Sequence, residues 1–332
     1  MQRRKFLLLI FLIAALTAGW FIKIYLIKLG FEYPREQNTT LADENNVKIT
    51  DGVKHSIPLE DILDGGPGKD GIPSIDQPKF IGVNEAKSVF KEDGQGLVVS
   101  IGSDSRFYPY QILVWHELVN DTVGGTPVLV SYCPLCNSGI VFERKINSEV
   151  AGFGVSGKLY NSDLLMYDRK TDSLWSQISG EAVVGPLTGA GLTQLEANVI
   201  TLQVFSKKFP QGKVLSKDTG FTRDYERNPY GNYSQTKETL FPVNQEDSRL
   251  NPKTVVYGIE VGGNFKAYPE EVLKAKGLIK DALNGHAIEL SYNEGLIEIN
   301  DITAGMNILV KPSFWFAWFA FHPSTEVYRE GI

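Results

Sequence analysis

Sliding the chain 160 residues along itself lays VSIGSDSRFYPYQILVWHELVNDTVGGTPVLVSY (99–132) over IEVGGNFKAYPEEVLKAKGLIKDALNGHAIELSY (259–292) without a gap. Nine of the 34 positions coincide: Gly102/Gly262, Tyr108/Tyr268, Pro109/Pro269, Leu113/Leu273, Leu118/Leu278, Asp121/Asp281, Gly125/Gly285, Ser131/Ser291 and Tyr132/Tyr292. Chance gives about two, so the match marks a duplication, and any fold for this chain must hold one supersecondary unit twice. Each copy reads the same way. A short strand (97–101 or 255–261) passes through a Gly turn to a helix, with Pro109 or Pro269 near its start, where a missing N–H costs nothing. The helix gives way to Gly124-Gly125 or Asn284-Gly285, then to the strand PVLVSY or AIELSY and the return strand IVFER or LIEIN. The units span 97–144 and 255–301. Between them, residues 150–190 alternate short apolar runs with Gly, Asn and Asp, and 168–172 reads as a hairpin loop. The expected fold class is α+β and β-rich, with mostly antiparallel sheets and two duplicated strand-helix-hairpin units.

The copies part at one turn. In the second, Asn293-Glu294-Gly295 closes a tight hairpin. In the first, CPLCNSG stands there, and matching Gly139 to Gly295 makes it an insertion of four residues at the hairpin tip. It carries Cys133 and Cys136, the only cysteines of the 332-residue chain. A glutaredoxin-like site needs a helix after the first cysteine to stabilise its thiolate. Asn137-Ser138-Gly139 followed by Ile-Val-Phe gives a turn and a strand instead. A hairpin tip bearing C-P-x-C is the form of a metal knuckle, which presents two sulfurs from one tight turn. Asn137 stands where c-type haem attachment needs His.

Two sulfurs leave a metal shell incomplete, and the chain has four histidines. His116 shares a helical face with Ile112, Leu113 and Val119 and is Lys276 in the second copy, so it is absent where the cysteines are absent. The competing role is a buried histidine bonded to a backbone carbonyl. His322 ends FWFAWFAFHP, a run that must be buried or bound to membrane. His286 and His55 fall at a turn and at the edge of a polar tether, and Met166 in LLMYD reads as core. The expected metal ligands are therefore Cys133, Cys136, His116 and His322, with Zn, Cu or Fe as the candidate cofactor. Two other functions fit the same pair of thiols: a thiol-disulfide oxidoreductase or redox sensor, and a non-enzymatic binding module with a local structural disulfide. Residues 205–235, with Asp218, Arg223, Asp224 and Tyr225, line a pocket or form a stapled surface loop. No G-x-S-x-G, H-E-x-x-H or P-loop occurs.

Arg3, Arg4 and Lys5 precede 17 uncharged residues, Phe6 to Ile22, and Lys23 and Lys28 can snorkel so that the run approaches the ~20 residues of a bilayer span. Residues 1–28 are expected to be a membrane anchor or signal peptide, 29–50 a polar tether, and 51–332 a single extracytoplasmic β-rich domain. Membrane is thus the expected partner. A net charge of −6 argues against nucleic acid. The stretches YCPLCNSGIVFER, FGVSGKLYNSDLLMYDR, SLWSQ with GEAVVG, LSKDTGFTRDY and FWFAWFAFHP resemble a prokaryotic family of secreted or membrane-anchored proteins known as domain of unknown function 3179. The resemblance runs from about residue 55 to 328. It implies an extracytoplasmic protein and brings no activity, cofactor or catalytic residue with it.

Overall fold

The computed structural model describes residues 47–329. The expected anchor, and the tether up to residue 46, lie outside the described residues. Among those described, no helix is long and apolar enough to cross a membrane. Lys48–Thr50, expected in the tether, is a strand paired with Val53–His55.

The chain is β-rich and mostly antiparallel, with five α-helices of seven residues each among the described residues. The duplication is visible in the hydrogen bonding. The first copy runs Gln95–Ile101, Asp104–Pro109, helix Tyr110–His116, Leu118–Val123, Thr126–Cys133 and Ser138–Glu143. The second runs Val255–Val261, Asn264–Pro269, helix Glu270–Lys276, Leu278–Leu283, His286–Asn293 and Leu296–Asp301, element for element the same lengths. Gly96 pairs Pro109 as Val256 pairs Pro269, and Leu118 pairs Ser131 as Leu278 pairs Ser291.

The repeat also extends beyond the residues that align by eye. Asn198–Thr201 lies antiparallel to the first strand of copy one, and Lys311–Phe314 does the same in copy two. A helix follows each, Leu202–Lys208 or Trp315–Phe321, and then a strand pairs in parallel: Lys213 opposite Arg106, Glu326 opposite Lys266. In the second copy only residues 302–310 separate the meander from this return. In the first, residues 144–197 intervene and supply most of a seven-stranded sheet.

Several of the shared residues form one clasp. Tyr108 donates to Asp121 at 2.6 Å, and Arg106 reaches both oxygens of Asp121 at 2.6 and 2.7 Å. In the second copy Tyr268 donates to Asp281 at 2.9 Å and Lys266 pairs with it at 2.8 Å. Each clasp ties the hairpin strand to the meander, and in the first copy, where the carboxylate is buried, it is fully compensated, the condition under which such a charge is tolerated.

The eight-residue apolar run Phe314–Phe321 is buried in the protein, apart from its partly exposed last residue, Phe321. Trp318 lies on Gly258, where a Cβ would come within 2.3 Å of the indole. Gly258→Ala is therefore expected to displace Trp318 and to lower stability by ~1–3 kcal/mol in urea unfolding, with near-ultraviolet dichroism reporting the moved indole.

Candidate functional site

Two hairpin tips meet at the cysteines. Thr126–Cys133 pairs with Ser138–Glu143, the last pair being Cys133 with Ser138, so residues 134–137 form the turn. In the second copy the last pair is Asn293 with Leu296, and the turn is 294–295. The cysteine turn is thus longer by two residues, not four, because Ser138 and Gly139 belong to the return strand and the match of Gly139 to Gly295 does not hold. Asn137 closes the turn at φ 50°. The second tip comes from the segment inserted in copy one. Phe153–Tyr160 pairs with Asp163–Asp168 through Asn161 and Ser162, whose φ of 51° and 63° make a type I′ turn.

This places Asp163 against the thiols. One carboxylate oxygen of Asp163 and the Sγ atoms of Cys133 and Cys136 all lie within 4.8 Å of one another. All three residues are buried, at 0 %, 1 % and 0 % exposure respectively. Cys136 Sγ lies 3.3 Å from the carbonyl of Ser162, and Cys133 Sγ lies 4.0 Å from it. The Asp163 Oδ2 accepts the backbone N–H of Ile178 at 3.1 Å, while Oδ1 has no hydrogen-bond partner. The cysteine turn is fixed from outside by the backbone N–H of Phe314, which donates to the Cys136 carbonyl at 2.7 Å.

Burial sets the proton affinities. It pushes both thiols up, Cys136 the further, so both hold their protons at neutral pH. It pushes Asp163 up to about 7, against the opposing pull of the Ile178 N–H and the thiols. Lys253 lies over the ring of Tyr233 with no hydrogen-bond partner for its amine, and burial draws it down to about 8. It is close enough for a charge on Cys136 to oppose that shift.

The two histidines expected to complete the shell are not part of this group. His116 is buried with Nδ1 2.8 Å from the Pro73 carbonyl and Nε2 2.7 Å from the Tyr225 hydroxyl, which in turn meets Thr219 at 2.6 Å. It pins the 216–235 loop, and both its nitrogens are engaged in doing so. His322 stacks on Phe265 and Trp318, with ring centroids 4.1 Å away in each case. The extended repeat shows why: His322 follows its helix as Phe209 follows Leu202–Lys208, and Phe209 packs on Phe205 in the same way. Burial lowers His322 to about 3, so it is a neutral packing ring. His286 pairs with Asp301, and His55 bonds the Ile57 carbonyl.

Asp163 and Lys253 were not singled out from the sequence. For Asp163 a signal existed: Asn-Ser in YNSDLL is turn chemistry, and the residue after it faces inward. Lys253 carries no local signature.

A buried dithiol with a third acidic group defines the class: a β-rich α+β protein with an internal repeat and a buried Cys-x-x-Cys pair beside an aspartate. The family profile described as protein of unknown function (DUF3179) matches residues 69–310, and the chain belongs to that family. No curated protein and no solved structure matches it.

Asp163 also gives a pH test. In the fold it keeps its proton up to about pH 7, whereas an unfolded aspartate releases it near 3.8. The folded metal-free chain binds more protons in that window, so this group's contribution to stability falls as pH rises from about 4 to about 7. Asp163→Asn is expected to stabilise the metal-free protein at pH 8 by roughly 2–4 kcal/mol relative to wild type and to leave little difference at pH 4, as read by urea unfolding.

Proposed function

We propose that this is a metal-binding protein whose site is formed by Cys133, Cys136 and Asp163, with zinc as the best-suited ion and copper or iron as competitors. The observation that carries the reading is the unpartnered Oδ1 of a fully buried aspartate beside two thiols. An oxygen with no donor in an apolar interior is costly, and a cation satisfies it together with both sulfurs. The spacing is suitable. Tetrahedral ligands at roughly 2.3 Å from zinc stand about 3.8 Å apart, so atoms already within 4.8 Å converge with small rotations. The Ser162 carbonyl, 3.3 and 4.0 Å from the sulfurs, is the candidate for a fourth position. Charge is balanced as well: two thiolates, a carboxylate and a divalent ion sum to −1, and the Lys253 ammonium offsets that.

Metal must displace protons that burial holds tightly, so affinity is expected to rise with pH and binding to release two to three protons at pH 7. Calorimetric titration of the purified full-length chain with zinc, repeated in buffers of different ionisation enthalpy, measures this directly. Changing both cysteines to Ser is expected to abolish binding, and Asp163→Asn to weaken it at least tenfold. Absence of any zinc, copper or iron binding by the reduced protein sinks the proposal.

The second reading, a thiol-disulfide couple, is favoured by Asp163 as a buried proton acceptor near the two sulfurs. It is opposed by their burial, which leaves neither open to a protein partner. Rapid labelling of both thiols in the folded metal-free chain, with a reduction potential in the range of catalytic dithiols, favours the couple over the metal site. We also propose that residues 1–28 anchor the protein to a membrane with the described residues outside the cytoplasm, supported by the basic cluster ahead of the apolar run.

A further inference from the structure

Glu117 ends the helix Tyr110–His116 at φ 58°, ψ −38°. The equivalent residue of the second copy, Gly277, has φ 68°, ψ −40°. A glycine takes this conformation freely, whereas a side chain is strained in it. The strain is local to one residue, since the flanking helices and strands have the same lengths and register in both copies. The side chain that bears it is an acid at 6 % exposure. The Tyr230 hydroxyl donates to it at a long 3.4 Å, and among the described residues no cation pairs with it. Burial raises its carboxyl to about 8. A strained backbone and a buried acid without a base are both costs to folding, and the sister copy shows that the turn closes without either.

The carboxyl lines a cavity of about 230 Å3. The rest of the lining is mainly apolar, with Ile72, Leu135, Leu159 and Phe241 among it, and Tyr230 beside Glu117. Lys158, also at the wall, is paired with Asp64 at 2.9 Å. A mainly apolar pocket with two hydrogen-bonded polar groups, Glu117 and Tyr230, in its wall is the form of a small-molecule site, and this volume lies below the roughly 300–1,000 Å3 of drug-sized sites.

We infer that this cavity binds a fragment-sized molecule with an apolar body and an amine head, the head held by the Glu117 carboxylate and the Tyr230 hydroxyl. An ammonium supplies the cation that Glu117 lacks, and the apolar walls accept the body. An alcohol of the same shape makes a weaker bond, and above about pH 8, where Glu117 is ionised, a carboxylate meets repulsion. Leu135, between Cys133 and Cys136 in sequence, forms part of the wall, so the bound molecule sits against the inner side of the cysteine turn. The inference does not depend on a metal.

The test is calorimetric or ligand-observed NMR binding to the full-length chain of three matched probes, benzylamine, benzyl alcohol and benzoate, at pH 9, where the Glu117 carboxyl is ionised, with and without zinc. Benzylamine is expected to bind at least tenfold more tightly than the alcohol, and benzoate not to bind. Glu117→Gln is expected to erase the preference for the amine. Glu117→Gly, the residue of the sister copy, is expected to keep or raise the melting temperature while losing the amine. The proposal is overturned if no probe binds wild type at millimolar concentration, or if Glu117→Gln binds benzylamine as wild type does.

Discussion

Asp163 is buried without a hydrogen-bond partner for its Oδ1, and the structure around the cysteines is arranged about that oxygen. A carboxylate in such a place is held off ionisation by its surroundings. Relief comes from the backbone N–H groups of Ile178 and Leu164 and from the two thiols. The surrounding structure keeps it there. A type I′ turn at Asn161-Ser162 aims it, the cysteine hairpin closes over it, and the Phe314 N–H fixes the Cys136 carbonyl from the second repeat. The energetic conflict at one oxygen is resolved most simply by a cation shared with both sulfurs.

Comparing the two copies separates scaffold from site. What they share is structural: the Asp–Tyr–basic clasp, the register of each hairpin, the parallel return strand. What distinguishes the first copy collects in one region. Its turn is two residues longer and carries both cysteines. Its meander is followed by the inserted sheet that delivers Asp163. Its helix ends on a strained glutamate where the other ends on glycine. His116, which also differs, serves a nearby loop by holding Tyr225. A duplicated frame that folds without these features leaves them free to be explained by chemistry.

Much of the frame could be read from the sequence because its signals are local. Proline marked the helix starts and alternation the strands, but Gly124-Gly125 and Asn284-Gly285, expected to follow the helix directly, close a hairpin one strand further on, because the helix already ends at His116 or Lys276. The continuation of the repeat into 198–215 and 311–327 was hidden because NVITLQVFSKKFP and KPSFWFAWFAFHP share little beyond the final proline. That gap made His322 look like a ligand rather than the counterpart of Phe209. The site was half legible. The cysteines announce themselves, but the third group comes from a segment whose approach to them is a tertiary fact. His116 pointed inward as its helical face required, yet toward Pro73 and Tyr225 instead of the sulfurs. Helical periodicity gives the buried face and not the neighbour it meets.

X-ray absorption at the zinc edge of the loaded full-length chain reads the ligands of the bound ion. Two sulfur ligands at roughly 2.3 Å are expected, with oxygen for the remaining shell and one oxygen scatterer lost in Asp163→Asn. A shell of nitrogen and oxygen alone, or a chain that takes up no metal after full reduction of Cys133 and Cys136, would contradict it.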